Sequence, residues 1–221
     1  MKKLRSILIL STAAVIAMVG CASVENVDTH RQDSFFGVNL IKNGDAEEGP
    51  AVLFDEIEKR QPPHHWTDIE GEMCISKYGK GAGGELAEAE SRGDGENYFW
   101  GGKVGNSTIE QIVDLSEASE WIDKGIVTFE LSGLLGGYRR QNDRAFLLAE
   151  FLDKNGGVLA SVQIEPVTNA DRNNATTMVF RETTGNVPEG TQSIRFELNA
   201  IRAEGTANDG YADELSMVLR T

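Results

Sequence analysis

The sequence predicts an all-β domain, a sandwich or barrel. Three observations carry this reading. Apolar and polar residues alternate with a period of two in several short runs: Val127, Phe129 and Leu131 against Thr128, Glu130 and Ser132, and Ile194, Phe196, Leu198 and Ala200 against Arg195, Glu197 and Asn199. Turn chemistry separates such runs, most clearly in Asp153-Lys154-Asn155-Gly156-Gly157, where the glycines can take positive φ in a hairpin. Helical periodicity is scarce, confined to Ser116–Lys124, a turn or two for which Ser116 or Ser119 is the expected cap.

Before the domain comes a processing segment. Lys2, Lys3 and Arg5 precede an apolar stretch from Ile7 to Val19, too short and too sharply ended for a spanning helix. It closes on Met18-Val19-Gly20-Cys21, which resembles a bacterial lipoprotein signal, with Met18 where leucine is more usual. The resemblance implies removal of residues 1–20 and lipidation of Cys21, whose acyl chains give a stable membrane anchor. Ala22, in place of the aspartate associated with inner-membrane retention, favours the outer membrane by the same resemblance. An ordinary secretory signal is the other reading. Residues 21–36 are polar and unpatterned, a tether to a single domain over 37–221.

Within that domain Glu72-Met73-Cys74-Ile75-Ser76 reads as a strand. Cys74, then the lone thiol, is expected to be buried and inert. Gly79–Gly95 reads as a long acidic surface loop with a helical turn at Glu85–Glu90. Arg144–Leu152 and Val158–Ile164 flank the hairpin turn, Pro188-Glu189-Gly190 turns the chain before the strand at Ile194, and Tyr211–Leu219 is the last strand.

The formal net charge is −14, and loss of the basic signal segment makes the remainder more acidic still. Such a chain disfavours nucleic acid and anionic lipid surfaces, and suits cations and neutral partners.

On a regular pleat Asp213 shares the inward face of the last strand with Leu215, Met217 and Leu219. A buried carboxylate is costly without a partner. The acid-rich turn Asn43-Gly44-Asp45-Ala46-Glu47-Glu48-Gly49 is available to supply one, bridged by a hard cation such as calcium. The alternative is that Asp213 accepts backbone N–H bonds from that turn.

Several phrases in order resemble the galactose-binding-like superfamily of extracellular domains. They are Asn39-Leu40-Ile41-Lys42-Asn43-Gly44-Asp45-Ala46-Glu47-Glu48-Gly49-Pro50; Trp66; Arg92-Gly93 to Gly101-Gly102 around Asn97-Tyr98-Phe99; Gly136-Gly137-Tyr138 with Gln141 and Asp143; Phe151-Leu152-Asp153; Pro166-Val167 with Asp171-Arg172; Val187-Pro188-Glu189-Gly190-Thr191; and Asn208-Asp209-Gly210-Tyr211-Ala212-Asp213. The resemblance covers residues 37–219. It implies a β-sandwich jelly roll, like that of many carbohydrate-binding modules. It also implies a structural calcium ion, with Glu47 and Asp213 as side-chain ligands and Asn43 and Asp45 in the contributing turn. Arg139-Arg140 departs from the pattern by placing a basic spot in a loop that often meets ligand.

Sugars stack their apolar faces on aromatic rings and hydrogen-bond through their hydroxyls, so Trp100, Tyr138, Arg139, Arg140, Gln141 and Asp143 are the candidate ligand-binding residues. Core packing for the aromatics and ion pairing for the arginines is the competing reading. No catalytic residue is assigned. Gly79-x-Gly81-x-x-Gly84 has no βαβ unit around it, and adjacent His64 and His65 lack a third ligand. Asp171–Glu182 lacks the glycine and acids of a calcium loop, and no nucleophile elbow, zinc-protease or P-loop motif is present. The expected function is a lipid-anchored envelope module recognising a glycan. The alternative is a structural or adhesive lipoprotein making protein contacts.

Overall fold

The computed structural model describes residues 35–80 and 95–221. The expectations placed on residues 1–34, including lipidated Cys21, and on 81–94, including the helical turn and Arg92-Gly93, lie outside the described residues.

The chain folds as a two-sheet β-sandwich jelly roll. Its strands are β1 (Ala51–Val52), β2 (Thr67–Glu70), β3 (Cys74–Lys77), β4 (Asn97–Trp100), β5 (Asn106–Asp114), β6 (Thr128–Gly137), β7 (Arg144–Leu152), β8 (Val158–Gln163), β9 (Thr177–Asn186), β10 (Ser193–Ile201) and β11 (Tyr211–Arg220). One sheet runs β1-β3-β4-β11-β6-β9 and the other β2-β5-β10-β7-β8. Every pair is antiparallel except β1 with β3.

The alternating stripes face inward as expected: Phe129 and Leu131 from β6, Leu147, Ala149 and Phe151 from β7, and Ile194, Phe196 and Leu198 from β10 form the core between the sheets. Each such aliphatic or aromatic side chain contributes about 1.5–3 kcal/mol when fully buried. The Ser116–Lys124 segment becomes a 3-10 turn (Ser116–Ala118) and one α-turn, α1 (Ser119–Ile122). Neither serine caps by its side chain; Asp114 Oδ1 instead accepts from Ser116 N at 2.8 Å.

The last strand departs from a regular pleat. Tyr211, Ala212 and Asp213 pair with Gly136, Leu135 and Leu134, but the next partners are Ser216 and Ser132, so the register slips between them. Glu214 sits at the slip with φ +49°, a left-handed conformation rare for a non-glycine residue. A bulge of this kind reverses side-chain phase. Leu215, Met217 and Leu219 face the core, whereas Tyr211 joins a second apolar cluster with Tyr78, Tyr98, Trp100 and Leu134. Asp213, two residues from Tyr211 and opposite Leu134, belongs to that second face, not to the inward stripe.

Four connections gather at one end of the sandwich: residues 101–105, 138–143, 164–176 and 202–210.

Candidate functional site

The first turn and the last strand do meet, and hydrogen bonds join them. Asn39 accepts from Met217 N with Oδ1 and donates to Leu215 O with Nδ2, each at 3.0 Å. Leu40 N donates to Met217 O, and Leu215 N donates to Gly44 O, each at 2.8 Å. A Cβ on Gly44 would lie 2.1 Å from Leu215 O, so only glycine fits this crossing. Asn43 is turned into its own loop. Its Oδ1 accepts from Glu48 N, while Nδ2 donates to Glu48 O and His64 O.

The carboxylates named for calcium are engaged by protein donors. Glu47 accepts from Glu96 N (2.7 Å) and Asn97 N (2.9 Å) with Oε1, and from Asn97 Nδ2 (2.7 Å) with Oε2. Asp213 Oδ2 accepts from the Tyr78 hydroxyl at 2.6 Å, and Oδ1 accepts from Glu214 N at 2.7 Å. Asp45 is exposed, and its Oδ1 lies 3.4 Å from Glu47 N. Among the described residues no group of three or more His, Cys, Asp or Glu is placed to hold a metal ion. Asn43, Glu47 and Asp213 are thus each held by protein hydrogen bonds, with Asp45 at the exposed edge. Each oxygen of Glu47 and Asp213 accepts at least one protein N–H or O–H bond. Asp213 is only 2% exposed, and burial pushes its carboxyl up to about 7 despite the Tyr78 hydroxyl and Glu214 N–H, which pull it down.

Trp100 is fully buried on the second face of the six-stranded sheet, with the Phe54 ring 5.8 Å away. It is packing, not a stacking platform, and its Nε1 has no hydrogen-bond partner among the described residues. Cys74 is buried as expected, and burial pushes its thiol up to about 12. His64 and His65 form no metal pair: His65 Nε2 lies 3.1 Å from Glu48 Oε2, and the segment leads into Trp66, whose Nε1 donates to Asn43 O.

The remaining ligand candidates sit together on the 138–143 loop. Gln141 N donates to Tyr138 O at 3.0 Å, closing a turn in which Arg139 takes φ +43°. Tyr138 is half-buried with the Arg139 guanidinium 4.9 Å from its ring centroid, and Arg140 is exposed. Asp143 is fully buried and is a pin rather than a ligand contact. Oδ1 accepts from Ala203 N (2.7 Å) and Glu204 N (2.9 Å), and Oδ2 accepts from Asp209 N (2.9 Å), tying this loop to the 202–210 loop.

A second pin comes from Arg172, 2% exposed, which the sequence reading held only as part of a phrase. Its guanidinium donates to Gly137 O (2.7 Å), Arg139 O (3.1 Å), Gln141 O (2.9 Å) and Ala175 O. Burial pulls its pKa below the ordinary value, offset by Tyr211, Asp143, Asp171 and Asp209 nearby. Asn169 Nδ2 adds a bond to Arg140 O at 3.0 Å. Asp209 accepts from the Tyr211 hydroxyl at 2.9 Å, and its burial pushes it up to about 6. The left-handed Arg139 costs of order 1–3 kcal/mol and is held on both sides, its N–H donating to Thr176 Oγ1 (3.3 Å) and its carbonyl accepting from Arg172 (3.1 Å).

No protein-family model matches the sequence, and no curated protein matches it. Among solved structures, the enzymatically active domain of tailspike protein 4 from bacteriophage CBA120 is similar at 15% identity and a TM-score of 0.51, over 83% of this chain and 22% of that one. A cyclase from Fischerella sp. TAU in complex with 4-(1H-indol-3-yl)butan-2-one is similar at 16% identity and a TM-score of 0.48, covering 83% of this chain and 98% of that one. The module TmCBM61 in complex with beta-1,4-galactotriose is similar at 15% identity and a TM-score of 0.46, over 83% and 99%. The chain spans less than a quarter of the tailspike chain, and likeness at this identity speaks to fold alone.

Proposed function

We propose that this chain is a lipid-anchored envelope module that binds a glycan at the loop end of its sandwich, and that it binds rather than catalyses. The observation that carries the reading is the double pinning of the 138–143 loop. Arg172 holds it to the 164–176 connection and Asp143 holds it to the 202–210 connection, so Tyr138, Arg139, Arg140 and Gln141 are presented on a preorganised backbone. Preorganisation lowers the ordering cost of binding, and planar donors beside a half-buried ring suit a sugar's hydroxyls and apolar face. The anchor rests on Cys21 and the apolar stretch before it.

One observation favours protein contacts instead. Edge strand β8 leaves Val158 51% and Leu159 42% exposed, beside unpaired backbone of the kind that recruits another chain. A glycan array probed with the full chain and with Tyr138→Ala/Arg139→Ala separates the two readings. Binding lost in the double variant supports the glycan site. Absence of binding to any glycan leaves the β8 edge as the better reading.

A further inference from the structure

The loop end differs in charge from the rest of the molecule. Arg139 and Arg140 project from the 138–143 loop, Arg144 opens β7 directly after it, and Arg202 follows β10 on the neighbouring loop. Arg144 donates to Asn142 O (3.4 Å) and Arg202 to Thr206 O (3.0 Å), both main-chain carbonyls. None of Arg140, Arg144 and Arg202 is paired with a carboxylate among the described residues, although the chain as a whole carries a formal −14. Several basic residues elsewhere are paired with carboxylates: Arg60 with Asp68, Lys124 with Glu120, and Arg195 with Glu150. Exposed acids are also present at this end, namely Glu165, Glu204 and Asp171, the last paired with Arg181, while Asp143 and Asp209 are buried and the oxygens of Asp143 are occupied by backbone N–H groups.

From this placement we infer that the loop end takes an anionic glycan, one bearing carboxylate or sulfate groups, with Arg140, Arg144 and Arg202 as the charge-recognising residues. This deepens the glycan reading above and rests on it. A guanidinium presents a fixed fork of donors that matches a carboxylate or sulfate, and such charge-assisted bonds are roughly twice as strong as neutral ones. The overall negative field repels a polyanion at long range, so recognition must be short-range and confined to this end. The pinned backbone fixes the base from which Arg140 projects, its carbonyl held by Asn169 Nδ2 at 3.0 Å.

The test is affinity electrophoresis of the full chain through gels containing polygalacturonate, dextran sulfate, or neutral β-1,4-galactan and xylan. The wild type is compared with Arg140→Gln/Arg202→Gln, with Arg140→Glu, and with Lys124→Gln at the opposite end as control. Retardation by an acidic polymer, weakened about tenfold or more in both arginine variants and unchanged in the control, is the expected result. Retardation by polygalacturonate alone assigns the carboxylate, and by dextran sulfate alone the sulfate. Retardation by neutral polymers but not acidic ones overturns this inference and leaves glycan binding standing. Retardation by none overturns both. Acidic-polymer binding that survives Arg140→Glu also overturns it. Unchanged melting of the variants shows that their folds are intact.

Discussion

Tyr78 and Asp213 are 135 residues apart in sequence, yet the Tyr78 hydroxyl donates to Asp213 Oδ2 across 2.6 Å inside the second apolar cluster. Among the described residues no cationic side chain contributes to its shift. Its raised pKa follows from burial, with Glu214 and Glu47 adding to the rise. The native state therefore holds a proton on Asp213 that the unfolded chain releases near its ordinary value of 3.8.

The sign of the pH dependence follows. A carboxyl whose folded pKa lies above its unfolded one contributes stability that is full below about 4 and lost as pH rises through about 7. Asp209, raised to about 6, acts in the same direction. Thermal melting should therefore occur at lower temperature at pH 8 than at pH 5.5. Asp213→Asn should flatten the difference. A slope equally steep in that variant would assign the effect elsewhere.

The Gly44 crossing is steric. Gly44→Ala drives a methyl group into Leu215 O and should destabilise by about 1–3 kcal/mol. Gly105→Ala, where nothing lies within 4 Å, is the matched control. Denaturant midpoints compare the two, and equal values would show that the clasp yields without cost.

Arg172→Leu leaves the carbonyls of Gly137, Arg139, Gln141 and Ala175 without this donor. At about 1–3 kcal/mol for each buried group left unsatisfied, the loss should exceed that of the exposed Arg140→Ala, expected within about 0.5 kcal/mol. Urea unfolding of both variants tests the ranking.

A hydrogen-bonded clasp does not require an ion. Calorimetric melting with calcium and with chelator should give the same temperature. A calcium-dependent rise that disappears in Asp213→Asn would restore the cation to the clasp.

Lipidation has a separate readout. Cys21→Ser should abolish incorporation of labelled fatty acid into the protein, and continued labelling of the variant would count against the proposed anchor at Cys21.

Much of the framework was legible in the sequence because one face of each central strand is buried. Strands β7, β8, β10 and β11 begin and end within a residue or so of their predicted limits. Among the longer strands, β5 and β9 were not legible. In β5 the inward positions include Ser107 and Gln111, which bond to Gly101 O and to the backbone of Lys42, so polar residues interrupt the stripe. In β9 the sheet-edge residues after Phe180 alternate between half-buried and exposed, but all are polar or glycine, so the sequence shows no apolar stripe. Asp213 was assigned the wrong face because a period-two argument fails across a bulge, and nothing in Tyr211–Ser216 marks the extra residue. The loop candidates were recognisable as turn residues. That Asp143 and Arg172 are pins, and that Trp100 is buried, depends on contacts between distant segments.

The central claim is that ligand binding occurs at the loop end and not on the aromatic face of the six-stranded sheet. Hydrogen–deuterium exchange of the full chain, with and without a glycan identified on the array, tests it most directly. The account expects new protection across Tyr138–Asp143 and Arg202–Thr206, with Asn97–Trp100 and Tyr211–Leu215 unchanged. Protection confined to Asn97–Trp100 and Tyr211–Leu215 would contradict it.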